Sequence, residues 1–91
     1  MLLPLDGPAV QSKQTIPASE TLVKVGASVL TERKVITVQP LTGNVYLTFE
    51  TGKDGFLLLK RGIYSFEASE TQVVYIKAVA GTEDVIIAER A

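Results

Sequence analysis

The chain contains no cysteine, no histidine and no tryptophan, and a single methionine among 91 residues. Without cysteine there is no disulfide framework and no thiolate metal site. Without histidine the commonest general base and the commonest zinc ligand are both missing. Neither sign of charge dominates: nine basic residues stand against ten acidic ones, interspersed. Such a balance provides no electrostatic footprint for a nucleic-acid backbone, and no nucleic-acid partner is expected. No hydrophobic run approaches the roughly 20 residues that a membrane-spanning helix needs, so no membrane partner is expected either. The start, MLLPLDGPAV, lacks a basic region, and its short apolar stretch is broken by Pro4 and Asp6. It does not read as a signal peptide. Synthesis in the cytoplasm is expected, with any later destination reached by assembly.

What is present is apolar: 46% of the residues are hydrophobic. Ninety-one residues make one small domain, which buries roughly 60–65% of the surface its unfolded chain exposes. A stability on the order of 5–10 kcal/mol follows from that size. So small an interior cannot hide all of the apolar content, and part of it is expected to face a partner.

Residues 1–19 hold three of the four prolines, Pro4, Pro8 and Pro17. Proline withholds a ladder donor and fixes φ, so this segment is expected to be an extended or irregular arm, not central in a sheet, packed on a neighbouring subunit. Residues 20–91 then form the folded domain. Residues 21–25 (TLVKV) alternate, with Val23 and Val25 on one face. Residues 34–39 place Ile36 and Val38 opposite Val35 and Thr37, and Pro40 ends that strand. Residues 44–50 point Val45, Leu47 and Phe49 inward. After the turn formers 51–55 come the apolar run FLLL (56–59), a Lys60-Arg61-Gly62 turn, and IYSFE (63–67) with Tyr64 and Phe66 on one face. Residues 72–79 (QVVYIKAV) read as the longest strand, and DVIIAE (84–89) closes the chain. Seven or eight short strands spaced by about eight to twelve residues predict an all-β fold, a small antiparallel β-sandwich or jelly-roll-like domain.

Chemistry finds little purchase. Residues 51–55 contain Gly-Lys, but Asp54 follows the lysine and no helix follows the loop, so a hairpin turn is the better reading than a phosphate loop. Glu67 with Glu70, and Glu83 with Asp84, sit in turns without the oxygen-rich spacing of a calcium loop. Tyr46, Tyr64 and Tyr75 could make a stacking platform, although tyrosines on strands more often keep the ring in the core and the hydroxyl wet. Ser28, Ser65 and Ser69 have no histidine to activate them, and none falls in a recognisable Ser–Lys motif. No catalytic, metal or cofactor site is expected.

The order of pieces TLVKVGASVLTERKVITVQPLTGNVYLTFE, GFLLLKRGIYSFEA and VVYIKAVAGTEDVIIAER resembles the small β-sandwich virion proteins of tailed bacteriophages. The matching elements are Gln39, residues 44–47, residues 55–62 bracketed by two glycines, and residues 73–87. The likeness runs over about residues 21–90 and leaves the arm uncovered. It implies a non-enzymatic capsid decoration (cement) protein that binds and stabilises the head shell through the sandwich and the arm. The implied partner is the major capsid protein or another virion protein, the location is the virion, and a homo-oligomer, first a trimer, is expected. Interface side chains are then sought in the arm, at Leu2, Leu3, Leu5, Val10 and Ile16, and in the FLLL run, at Phe56 and Leu58. The alternatives are a tail fibre, baseplate or receptor-binding component, and a small carbohydrate- or peptide-binding β-module.

Overall fold

A computed structural model describes residues 9–52 and 55–91. Among them are eight strands: β1 (Ala9–Pro17), β2 (Thr21–Leu22), β3 (Val35–Pro40), β4 (Val45–Thr48), β5 (Phe56–Leu58), β6 (Tyr64–Glu67), β7 (Tyr75–Ala78) and β8 (Thr82–Arg90). They form two four-stranded antiparallel sheets, β1-β8-β3-β6 and β2-β7-β4-β5. This is the strand order of a jelly roll, in which the chain crosses repeatedly between two stacked sheets.

The core is the layer between the sheets, and the period-2 pattern fills it. Ile16, Ile36, Val38, Val85 and Ile87 come from the first sheet, and Val45, Leu47, Leu58, Ile76 and Val23 meet them from the second. Phe49 closes one open side of the sandwich. Its ring lies edge-on to Phe56 at 6.3 Å and to Phe66 at 6.4 Å between centroids, a favourable arrangement for ring quadrupoles. The β4–β5 hairpin depends on Gly55. Its φ is +77°, and a Cβ there would overlap the Leu47 carbonyl oxygen, so only glycine fits.

Two sequence expectations change. Residues 9–17, assigned to the arm, form β1, paired with β8 from Ala9↔Arg90 to Pro17↔Thr82. The prolines do not prevent this, because β1 is an edge strand and Pro17 is its last residue. The longest strands are β1 and β8, nine residues each, whereas β7 has only four. Residues 29–34 belong to a long connection between β2 and β3 that is held by side chains.

Candidate interaction surface

The two outer faces of the sandwich differ in kind. On the first sheet, alternation turns Gln11, Lys13 and Thr15 of β1 outward, with Asp84, Ile86, Ala88 and Arg90 of β8, Val35, Thr37 and Gln39 of β3, and Ser65 and Glu67 of β6. Polar pairs lace this face: Thr15 Oγ1 donates to Asp84 Oδ1 at 2.9 Å, and the Thr37 and Ser65 hydroxyls lie 2.9 Å apart.

The second sheet turns a different set outward. Leu57 of β5 lies opposite Tyr46 of β4, which lies opposite Lys77 of β7. A second row carries Leu22 and Tyr75. Val73, Val79 and Leu59, just past the strand ends, continue the same alternation. Leu22, Leu57, Leu59, Val73 and Val79 are all exposed. The charge in these rows is Lys77, whose ammonium lies 5.9 Å from the Tyr46 ring centroid, so even this group is turned onto an aromatic surface. The result is an apolar face with aromatic patches, the kind of surface that marks an interaction site.

The interface residues sought from sequence divide three ways. Phe56 is 57% exposed and Val10 is 38% exposed. Ile16 and Leu58 are core residues instead, buried to 1% and 2% exposure. Ile16 faces inward from β1, and Leu58 faces inward from β5 opposite Val45. Period-2 alternation within FLLL explains the second case: Leu57 and Leu59 point out, so Leu58 must point in. Leu2, Leu3 and Leu5 lie outside the described residues. Sequence reading missed Leu57, Leu59 and Val79, although alternation from their inward neighbours would have placed them on the outer face.

Another group carries charge into the interior. Arg33 and Glu89 are both buried, with Nη1 and Oε2 3.0 Å apart. Every N–H of the guanidinium is used: Nε donates to the Ala68 carbonyl, Nη1 to the Val23 carbonyl and to Glu89, and Nη2 to the Ser69 and Gln72 carbonyls, at 2.9–3.3 Å. Glu89 also accepts from the Val25 N–H at 2.8 Å and the Leu30 N–H at 3.2 Å. The pair therefore holds the β2–β3 and β6–β7 connections onto the end of β8. A pocket of about 280 Å³ lies beside it, lined by Val10, Val25 and residues 26–31. With both Glu89 oxygens committed, its floor offers no free ligand group.

The remaining sequence candidates are dispersed. Tyr46 and Tyr75 share the apolar outer face, but Tyr64 sits on the other sheet and its hydroxyl accepts the Leu59 N–H at 3.0 Å. Glu70, in a turn, accepts the Glu32 N–H, and Glu83, which lies in β8 rather than in a turn, accepts the Thr42 hydroxyl. Among the described residues no group of three or more His, Cys, Asp or Glu side chains could hold a metal ion.

Comparison with protein-family models and with curated proteins returns no match. Among solved structures, a chain from the Bacillus endospore appendages, described as a novel family of disulfide-linked pili, aligns with a TM-score of 0.41 and 19% identity. The alignment covers 99% of this chain and 93% of that one.

Proposed function

We propose that this protein is a non-enzymatic structural subunit of a tailed-phage particle, a decoration protein that attaches to the head shell through the apolar outer face of its second sheet. The observation that carries the reading is the asymmetry of the sandwich. One face is polar and internally hydrogen-bonded; the other exposes Leu22, Leu57, Leu59, Val73 and Val79 around two tyrosines. A module built to add to a larger surface needs such a one-sided distribution, and a rigid β-sandwich presents it without reorganisation on binding. Jelly rolls also recur among viral shell proteins, an association at the level of fold that supports the reading without specifying the site. Self-association into a closed homo-oligomer belongs to the same proposal.

The test is to purify particles of a phage that encodes this chain and label them with an antibody raised against it. Regularly labelled heads are expected. Label confined to tail tips would move the protein to the tail, and intact particles without it would overturn the reading.

A further inference from the structure

Among the described residues the sheets leave four edges, β1 and β6 in the first and β2 and β5 in the second. Three are protected against adding another strand. β1 carries exposed Lys13 at its centre and ends on Pro17, β6 carries exposed Ser65 and Glu67, and β2 is only two residues long. Inserted charge, proline and shortness are the usual means by which an edge is blunted. β5, Phe-Leu-Leu, has neither charge nor proline.

The ladder shows which β5 groups are free to pair. The Asn44 carbonyl accepts from the Val79 N–H on the β7 side of β4. By alternation, Tyr46 also bonds toward β7, and Val45 and Leu47 bond toward β5. Their opposites, Leu58 and Phe56, are thus committed to β4, and the N–H and C=O of Leu57 point away from the sheet. One residue further along, the edge is closed by the chain itself: the Leu59 N–H donates to Tyr64, and its carbonyl accepts from the Gly62 N–H at 3.0 Å. Leu57 is left as the open position of this edge.

Leu57 and Leu59 stand exposed on the outer face of this edge, by 48 and 53%, and Phe56, which pairs with Leu47 and lies on the opposite face of β5, is exposed by 57%. An unpaired apolar edge of this kind is a ready template for another strand. Paired antiparallel about Leu57, two copies satisfy each other's open N–H and carbonyl and bring Phe56 of each beside Leu58 of the other.

We infer that β5 pairs antiparallel with β5 of a second copy about a two-fold axis through Leu57. The Leu57 N–H of each copy donates to the Leu57 carbonyl of the other, with Leu57 and Leu59 on the outer side of the junction and Phe56 on its other side. The two second sheets become one eight-stranded sheet, and their apolar outer faces become a single surface of twice the area. Such pairing is isologous and closes at two subunits, so the unit is a dimer rather than the trimer suggested by sequence. A dimer grips a surface through two linked faces and gains avidity over one. The inference deepens the reading above and rests on its apolar-face assignment. It is tested on purified protein with no particle present, so either can fail alone.

The full-length chain is studied by sedimentation over a concentration series. Twice the chain mass of 9.8 kDa is expected, with exchange of the Leu57 amide slowing by about tenfold or more as the dimer fills. Leu57→Pro removes the outward N–H without touching the β4 ladder, and Leu57→Lys places a charge at the junction. Each is expected to weaken dimerisation by roughly a hundredfold, while Gln11→Pro on the opposite edge leaves it unchanged. A wild-type monomer at millimolar concentration overturns the proposal. So does any oligomer in which Leu57 amide exchange is indifferent to concentration, or a dimer that persists unchanged in a folded Leu57 variant.

Discussion

Arg33 and Glu89 test a general expectation about buried ion pairs. Replacing such a pair by apolar side chains is often neutral or stabilising, because desolvation offsets most of the attraction. Here the pair also serves the backbone: Arg33 satisfies the buried carbonyls of Val23 and Ala68, and Glu89 satisfies the amides of Val25 and Leu30. Glu89→Ala should cost about 3–5 kcal/mol by leaving a buried guanidinium uncompensated. The double variant Arg33→Met/Glu89→Leu should remain destabilised by at least about 2 kcal/mol, since each orphaned backbone group costs roughly 1–3 kcal/mol. Urea unfolding of the three proteins checks both statements, and full recovery in the double variant would reduce the pair to an ordinary ion pair. Half of this was legible in the sequence. Counting by twos from Val85 and Ile87 reaches Glu89 on the inward face, so alternation flags a buried acid. Its partner was not legible, because Arg33 lies in an irregular connection where no period assigns a direction.

At the scale of elements, β1 and β5 show what a period-2 reading captures and what it loses. Strands β3 and β7 alternate cleanly, and so does β4 up to Thr48, which is buried as well; the inward residues Ile36, Val38, Val45, Leu47, Ile76 and Ala78 are all buried. In β1 the inward positions before Ile16 are Val10, Ser12 and Gln14. The apolar period is masked, and Gln14 is satisfied by hydrogen bonds to Ser12 Oγ and to the Lys24 carbonyl. Proline content then points to an arm. The two interpretations predict opposite results for a truncation that begins the chain at Ala18. With β1 in place as an edge strand, the truncation removes the buried Ile16 side chain, worth about 2–5 kcal/mol, and the whole ladder along β8. Against a total of about 5–10 kcal/mol, the truncated chain should be largely unfolded by circular dichroism. In β5, Leu58→Lys should abolish the cooperative melt, because it places an ammonium in the core. Leu57→Lys, one residue away on the outer face, should shift the melting temperature by only a few degrees. Equal effects from the two would contradict the register of the β4–β5 hairpin.

For the molecule as a whole, apolar content exceeded what a small interior could hold, and composition alone implied a sticky surface. Which surface was not legible, since outward positions are defined only once each strand has a sheet and a neighbour. Topology collects Leu22, Tyr46, Leu57, Tyr75 and Val79 from four strands onto one side. If that side is the attachment face, charge placed on it should act on binding and leave folding almost untouched. Val79→Glu lies away from the β5 edge and is half exposed, 49%, so it should change stability by no more than about 0.5 kcal/mol. Dimerisation through Leu57 should persist in it. Its retention on purified phage heads, measured by co-sedimentation, should fall by at least about tenfold, because a carboxylate buried against an apolar contact without a partner loses its hydration. Thr15→Glu on the polar face is the matching control and should bind as wild type does. Loss of head binding in Thr15→Glu with retention in Val79→Glu would reverse the orientation of the sandwich on the shell and leave the apolar face to some other contact.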